Sequence, residues 1–319
     1  MSKYLDIKII LGFAAVYVIW GSTYLAIRIG IEAIPPFLLI GMRFVTGGLL
    51  LYGWARMRGA PSPRLSDWTP ALVTGLLMPL GGTGLVAWAE MTVPSGLTAL
   101  LIAMTPMWIV LADWLRPAGT RPNLPVTVGL LLGFSGVALL INPADLSRSG
   151  EVDLFGAVLI VIASISWAAG SVYSRQVSRP SSGILRTSLQ MLVGGGGLLL
   201  ISALTGEAAA VDFGAVALRS WLALGYLTLF GSIAYAIYVW LLSVSTPAKV
   251  STYAYVNPVI ALALGASLAG EKLSNWTIVC SAIVIVAIVI VISAKARAPR
   301  STDTAPSTAP PQAARCLRA

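Results

Sequence analysis

Histidine is absent from this sequence of 319 residues, cysteine occurs only twice, and 10% of the residues are charged. Without histidine, Ser–His catalysis and histidine-ligated zinc are excluded. Cys280 lies in an apolar stretch and Cys316 near the chain end, so no disulfide framework is indicated. A soluble domain usually contains about 25% charged residues, which argues against a soluble protein. We therefore predict a membrane protein that is not an enzyme and has no catalytic residues, metal or cofactor.

Apolar residues make up 57% of the chain, and its mean hydropathy is +0.86. About 20 apolar residues cross the hydrocarbon core of a bilayer as a helix. The sequence contains ten stretches of this kind, joined by short connections, and therefore predicts an all-α polytopic membrane protein with ten transmembrane helices. The predicted spans are residues 7–29, 36–55, 70–90, 95–115, 124–142, 153–175, 184–204, 216–242, 248–270 and 274–294.

The basic residues are distributed unevenly between the two sides of these spans. With a cytoplasmic N-terminus, 16 of the 21 lysines and arginines lie on the inner side, four lie on the outer side, and Arg43 lies within a span. The positive-inside rule then predicts a cytoplasmic (inner) membrane protein with both termini in the cytoplasm. This distribution indicates that the net charge of +9 reflects orientation in a lipid bilayer and not binding to nucleic acid. Residues 295–319 are predicted to form a disordered cytoplasmic tail.

The chain resembles itself at an offset of about 150 residues. Residues 21–24 (Gly-Ser-Thr-Tyr) follow Trp20, and residues 170–173 (Gly-Ser-Val-Tyr) come just after Trp167. Other paired positions are Trp68 with Trp221, Trp88 with Trp240, and Thr105–Pro106 with Asn257–Pro258. The pairing predicts two five-helix repeats, at residues 1–145 and 150–294. Because five is odd, the second repeat enters the membrane inverted, as in many transporters with a substrate site at the repeat interface.

Several of these segments resemble the EamA family of the drug/metabolite transporter superfamily, and its YedA-type permeases in particular. They are residues 20–24 (Trp-Gly-Ser-Thr-Tyr), 93–97 (Val-Pro-Ser-Gly-Leu), 166–173, 253–258 (Tyr-Ala-Tyr-Val-Asn-Pro) and 270–274 (Gly-Glu-Lys-Leu-Ser). The resemblance implies ten spans in two repeats, cytoplasmic termini, and export of small solutes such as amino acids or toxic compounds. The first repeat departs from the family pattern, because it lacks a glycine–glutamate pair after its fourth helix.

Polar and aromatic residues at helical spacing within the spans predict a substrate pocket. Tyr253 and Asn257 are compatible with a pocket or with an interhelical hydrogen bond. Trp20 and Tyr24 lie toward the outer end of their span, where a role in the interfacial belt or in packing and a role in a pocket are equally open interpretations. The predicted substrate-binding residues are Trp20, Ser22, Tyr24, Arg43, Trp88, Trp167, Ser171, Gln190, Tyr253 and Asn257.

Arg43 is the most informative charge in the sequence. It lies seven residues after Pro36, which is roughly 10 Å into the second span at 1.5 Å per residue. The guanidinium can either snorkel to the outer interface or bind a substrate carboxylate, and the sequence leaves both open. The equivalent position in the second repeat is Gln190. We hypothesise that Arg43 and Gln190 flank one cavity.

The repeats favour a permease that exports small metabolites, namely amino-acid-like, aromatic or amphiphilic solutes or drugs, by alternating access. A non-transporting membrane receptor or assembly protein is the alternative, and an intramembrane enzyme is the least favoured. Glu90, at the outer end of the third span, is interpreted as a loop charge, so facilitation or exchange fits as well as proton antiport. The expected partners are a small-molecule substrate and the bilayer, with a monomer or weak homodimer.

Overall fold

A computed structural model of the protein describes residues 2–115, 121–140, 153–176, 182–245, 250, 252–270 and 274–297. Within these ranges every regular element is helical, and no strand occurs. The predicted all-α polytopic class is thereby confirmed. The predicted tail from residue 298 onward lies outside the described residues, and so do the connections at 116–120 and 141–152.

The first half of the chain forms helices α1 to α7. Their bounds are α1 Ser2–Gly30, α2 Pro36–Met57, α3 Leu65–Gly75, α4 Leu85–Ala89, α5 Ser95–Ile102, α6 Thr105–Trp114 and α7 Leu124–Leu140. A π-helix, Leu76–Gly84, joins α3 to α4. Pro36 opens α2, where its missing amide hydrogen has no partner to lose and its fixed φ suits the helix.

The second half forms helices α8 to α13. Their bounds are α8 Leu154–Gln176, α9 Gly183–Leu204, α10 Glu207–Ala210, α11 Leu218–Val244, α12 Tyr253–Leu268 and α13 Asn275–Arg297. The hydroxyl of Ser182 caps α9 by accepting the amide hydrogen of Leu185 at 3.3 Å. Helix α13 continues past the predicted end at residue 294, because alanine, lysine and arginine are good helix formers. The helix thus extends three residues beyond the predicted span, and the tail at residues 295–319 stays a prediction.

Seven helical segments are long and apolar enough to cross a bilayer. They are Ile7–Gly30, Pro36–Met57, Leu65–Ala89, Ser95–Ala112, Leu154–Ser174, Gly183–Leu204 and Leu218–Leu241. Three shorter apolar helices, Leu124–Leu139, Val256–Leu268 and Asn275–Val291, fall where the remaining spans are predicted. The structure therefore agrees with a polytopic membrane protein, and the count of ten spans stays a prediction.

The third and fourth predicted spans are interrupted along their length. In the third, Pro79 lacks an amide hydrogen and three glycines follow within five residues, where the backbone widens into the π-helix. In the fourth, α5 ends at Ile102 and α6 begins at Thr105, with Pro106 in its first turn. The hydroxyl of Thr105 donates to the carbonyl of Ile102 at 2.6 Å. Irregular backbone at membrane depth has to face protein or a water-filled cavity, so both interruptions indicate the interior of the molecule.

The helices of the two halves interleave around a common centre. Helix α2 packs along α9, and α7 packs along α13. Helix α1 contacts α11 and α12, whereas α8 contacts the π-helix, α5 and α6. Each contact thus recurs with the halves exchanged, which is the pattern expected of two related five-helix units.

Glycines bring α2 and α9 close together at this centre. A Cβ on Gly41 would lie 2.7 Å from Cδ2 of Leu199, and a Cβ on Gly195 would lie 2.8 Å from Cβ of Phe44. Small residues permit such close helix packing in a bilayer, where no hydrophobic force drives helices together. The close approach fixes the part of α2 that carries Arg43 and Phe44.

Candidate functional site

A cavity of about 80 Å³ lies where the two halves meet. About 10–15 Å³ of such volume holds one water molecule, so the cavity has room for several waters or one small group. The π-helix and five helices of the first half contribute to its walls, as do α8, α11 and α12 of the second. The lining residues are Trp20, Thr23, Tyr24, Ile27, Arg43, Phe44, Gly82, Thr83, Val86, Ile102, Thr105, Ala163, Trp167, Tyr235 and Tyr253.

Five aromatic side chains, which we call the aromatic cluster, form one wall of the cavity and its backing: Trp20, Trp167, Tyr235, Tyr238 and Tyr253. The Trp20 ring lies edge-on to those of Trp167 and Tyr253, with centroids 6.1 and 5.0 Å apart. Tyr238 packs against Trp20 at 4.8 Å, and Tyr235 packs against Trp167 at 6.1 Å. Edge-to-face contacts are favourable because a positive ring edge meets a negative ring face. The cluster joins α1 of the first half to three helices of the second.

The π-helix holds the Trp167 ring in place. A Cβ on Gly82 would lie 2.8 Å from Cε3 of Trp167, and a Cβ on Gly81 would overlap the hydroxyl oxygen of Ser166. That hydroxyl donates to the carbonyl of Leu77 at 2.7 Å. Glycine is therefore required at both positions for α8 to lie this close, and the widened turn supplies a backbone acceptor for Ser166.

Arg43 lies in the cavity wall, and no carboxylate of the described residues pairs with its guanidinium. The residue is 6% exposed, and its Nε has no hydrogen-bond partner among the described residues. Its Cζ lies 4.8 Å from the centroid of the Phe44 ring. A Cβ on Gly231 would lie 2.8 Å from its Nη2, so the head group rests against the backbone of α11. The side chain therefore points into the protein and does not snorkel to the interface.

The hydroxyl groups around the cavity differ in whether they are satisfied. Thr23 donates to the carbonyl of Trp20 at 2.7 Å, and Thr105 donates to the carbonyl of Ile102. The hydroxyl of Tyr235 is buried and has no partner within the described part of the chain. In that same part, no group of three or more histidine, cysteine, aspartate or glutamate side chains is placed to hold a metal ion.

Five of the ten predicted site residues line the cavity, namely Trp20, Tyr24, Arg43, Trp167 and Tyr253. They come from both predicted repeats and from four different helices. For Trp20, which is 9% exposed and packed inside the aromatic cluster, the interpretation as an interfacial belt residue is wrong. Their contact with a substrate stays a prediction.

Three further predicted residues make hydrogen bonds that join or stiffen helices beside the cavity. Ser22 shares a hydrogen bond of 2.6 Å with the hydroxyl of Tyr226 on α11. Ser171 donates to the carbonyl of Trp167 at 2.7 Å. The Asn257 amide, oriented so that its nitrogen has acceptors, donates to two backbone carbonyls, at 3.2 Å each, in α1 and α12. Of the two interpretations of Asn257, the structure therefore supports the interhelical hydrogen bond.

Gln190 and Trp88 lie away from the cavity. The Gln190 amide donates to the carbonyl of Thr74 at 3.4 Å and to Sδ of Met78 at 3.1 Å. Trp88 is 37% exposed and packs against Phe37 and Phe155. The structure thus does not bring Gln190 to the cavity beside Arg43, because α9 turns that side chain toward α3 and the π-helix.

The sequence prediction missed Tyr235 and Tyr238, which stand one helical turn apart in α11. A periodic signal is present, since tyrosines at i and i+3 share a face. The repeat comparison passed over them because the offset that pairs Trp88 with Trp240 aligns them with Thr83 and Val86, which are not aromatic. Both of those counterparts line the cavity.

Three polar contacts lie at the predicted outer ends of the helices; the first stays within the first half, and the other two join the halves. Arg28 donates to the backbone carbonyl of Glu90, and Glu32 forms an ion pair with Arg219. Ser220 donates to the carbonyl of Ile29 at 3.0 Å. The Glu90 side chain is fully buried, so the interpretation of Glu90 as a loop charge is wrong.

Comparison with known proteins places this architecture in a family. The model of the EamA-like transporter family matches residues 7–142 and 154–293. The uncharacterized inner membrane transporter YedA of Escherichia coli (strain K12) is 38% identical over 294 residues, covering 92% of this chain and 93% of that protein. The WAT1-related protein At3g02690, chloroplastic, of Arabidopsis thaliana is 29% identical over 280 residues, or 85% of this chain and 66% of that protein.

A solved crystal structure shares the fold. It superposes with a TM-score of 0.64 at 20% identity and covers 92% of this chain and 99% of the other. A polytopic helical bundle with a cavity between interleaved halves, together with relatives named as transporters, defines a membrane transporter. This chain belongs to the EamA-like transporter family, as the sequence motifs predict.

Proposed function

We propose that this protein exports small solutes across the cytoplasmic membrane by alternating access, with the central cavity as the solute-binding site. The observation that carries the proposal is the composition of the cavity wall. It takes Trp20 and Arg43 from the first half and Trp167, Tyr235 and Tyr253 from the second. A solute bound there touches both halves, so movement of one half against the other changes the side from which the solute is accessible.

The arrangement of the helices supports this mechanism. The contacts of α1 with α11 and α12 have counterparts in those of α8 with the first half, as expected of halves that move as units. The π-helix and the break between α5 and α6 lie beside the cavity. Deviations of this kind in otherwise regular helices are frequent at functional sites.

The cavity restricts the class of solute. At about 80 Å³ it is small, and aromatic rings dominate one side of it. Small partly aromatic or apolar solutes fit such a wall, because ring faces and edges favour aromatic partners. Larger solutes require the halves to separate, which the alternating-access cycle itself provides.

The family resemblance and the charge distribution support the proposed direction and orientation. Export is what the EamA resemblance implies, and the inner-side excess of 16 basic residues over four supports cytoplasmic termini. The relative YedA is named an inner membrane transporter, which supports the same location for this chain.

The proposal is tested by ligand screening followed by flux. Purified protein in detergent is melted with amino acids, nucleosides, sugars and cationic drugs; a ligand at about 100 times its Kd stabilises the fold by about 2.7 kcal/mol. Solutes that raise Tm are then loaded into proteoliposomes, and their efflux is measured with wild type, Trp20→Ala and Trp68→Ala. Trp68 is 41% exposed and outside the cavity lining, so it is the matched control.

We expect efflux of a stabilising solute to fall in Trp20→Ala and to persist in Trp68→Ala. Binding without flux in either direction would contradict transport and favour a membrane receptor. Equal flux in all three proteins would show that the solute does not pass through this cavity.

A further inference from the structure

Arg43 is a buried cation in the wall of the cavity. It is 6% exposed, and within the described residues no carboxylate lies within ion-pair distance of it. A buried charge without a partner is costly, and in membrane proteins such groups mark substrate or ion pathways. The ion pair and carbonyl contacts at the predicted outer ends involve Arg28 and Arg219 instead.

The opposing face of α11 shapes a site for this guanidinium. The head group rests against Gly231, where a Cβ would lie 2.8 Å from Nη2 of Arg43 and would push the guanidinium aside. Four residues later, and so on the same face of α11, Tyr235 places at the cavity a buried hydroxyl that has no hydrogen-bond partner in the described part of the chain. Arg43 and Tyr235 thus supply unused hydrogen-bond donors from two helices, one in each half.

This pair of donors selects an anion. A guanidinium offers N–H groups in a planar fork that matches the two oxygens of a carboxylate, and a tyrosine hydroxyl adds a third donor. A cationic solute would meet an uncompensated positive charge here. The aromatic cluster lies beside the donors, since Tyr235 packs 6.1 Å from Trp167 and 6.5 Å from Trp20.

We infer that Arg43 and Tyr235 form the anion-binding end of the cavity, and that the solutes carried are small organic acids with a carboxylate next to an aromatic or apolar body. This inference rests on the proposed function, because it names the substrate class of the same cavity. The carboxylate fills the place between the two donors, and the body of the solute packs against the aromatic cluster.

The test compares three compounds of equal size, namely benzoate, benzamide and benzylamine. Their affinities for purified wild-type protein are measured by titration calorimetry in a chloride-free buffer. Benzoate is expected to bind about tenfold or more tightly than the other two, because only its carboxylate can form charge-assisted hydrogen bonds with the guanidinium. Equal affinities, or no binding of any of the three, would overturn the inference.

Variants then test whether the preference for benzoate depends on Arg43 and Tyr235. Arg43→Gln is expected to reduce benzoate affinity to that of benzamide, while Tyr235→Phe lowers it several-fold and leaves benzamide binding unchanged. Gly231→Ala keeps the charge but displaces the guanidinium, and is expected to weaken benzoate selectively. Arg219→Gln removes an arginine that is 69% exposed, and serves as the control that behaves like wild type. A benzoate preference that survives in Arg43→Gln would contradict the site.

Two further measurements, chloride competition and proteoliposome flux, distinguish the organic-acid site from an inorganic-anion site and from the proposed transport function. If chloride alone at high concentration displaces benzoate completely, the site is an inorganic-anion site and the carboxylate assignment is wrong. If benzoate binds with the Arg43 dependence described but no organic acid crosses proteoliposome membranes, the anion site stands and the proposed transport function fails. If neutral solutes are transported and benzoate does not bind, transport stands and the anion site fails.

Discussion

Arg43 and Gln190 are each the eighth residue of a 22-residue helix, α2 in one half and α9 in the other, yet they have different surroundings. Gln190, 5% exposed, donates to the carbonyl of Thr74 and to Sδ of Met78. Arg43, 6% exposed, faces the cavity and leaves its Nε without a partner among the residues that the structure describes. Equal burial therefore accompanies unequal satisfaction of hydrogen bonds.

This difference in hydrogen bonding suggests a packing role for Gln190 and a binding role for Arg43. A buried amide with acceptors on a neighbouring helix fixes the contact of α9 with α3 and the π-helix. A buried guanidinium without a counter-ion destabilises the empty protein and gains its compensation only when an anion enters. Substituting Arg43 should therefore mainly affect transport, whereas substituting Gln190 should mainly affect stability.

The largest expected effect comes from exchanging the two residues. In the double variant Arg43→Gln/Gln190→Arg the composition is unchanged, but the cation lies beside Thr74 instead of the cavity. We expect efflux of organic acids to fall about 10- to 100-fold, since a charge-assisted interaction of about 1.5–3 kcal/mol is lost. Proteoliposome efflux measures this. Recovery of transport in the exchanged protein would show that the two positions share one site after all.

The second effect concerns stability without ligand. Gln190→Leu leaves the carbonyl of Thr74 without its donor and should lower the free energy of unfolding by about 1–2 kcal/mol. Arg43→Met removes an uncompensated buried charge and should raise the Tm of the ligand-free protein. Thermal melts in detergent compare the two variants. A lower Tm for Arg43→Met than for Gln190→Leu would mean that the guanidinium already has compensation in the empty protein.

A third prediction tests the packing that carries the cavity wall. Gly82→Ala places a Cβ 2.8 Å from the Trp167 ring and should destabilise the protein by about 1–3 kcal/mol through overpacking. Gly196→Ala is the matched control, because no atom lies within 4 Å of its Cβ and the change favours the helix. Tm values of both variants are measured. Similar losses in both would show that the contact of the π-helix with α8 is not restrictive.

The smallest expected effect is at Asp153, which precedes α8 and contacts the first half. Hydrogen bonds from the Gly156 amide, then from the Thr92 hydroxyl, hold the pKa of this carboxyl below its usual 3.8. Since the folded pKa is the lower one, the carboxylate stabilises the protein above the unfolded pKa, and this contribution is lost as pH falls through the folded value. We expect Asp153→Asn to have a lower Tm at neutral pH and to converge with wild type toward pH 3, in melts from pH 7 to 3. An unchanged gap across that range would contradict the assignment.

Much of the fold follows from local sequence, since each helix from α1 to α13 except α10 overlaps a predicted span, although several extend beyond its ends and the third and fourth spans are broken. The site follows less completely. Trp20 and Trp167 are signalled by the repeat, and Arg43 by its charge in an apolar span. Tyr235 has no aromatic counterpart in the first half, so the repeat gives no signal for it. Glu90 reads as a loop charge because its burial depends on chain segments far from it in sequence.

The sequence by itself determines the class of this protein. Runs of about 20 apolar residues can satisfy their backbone in a bilayer only as helices, and the duplicated motifs and the basic residues predict how the halves are arranged. The tertiary structure alone decides which side chains face the cavity. A helix such as α7 is apolar on nearly every face, so its sequence does not tell which face packs against the rest of the protein. Only the packing of α2 and α11 shows that Arg43 lies against Gly231 with an Nε that has no hydrogen-bond partner among the described residues, and that Gln190 does not share its cavity.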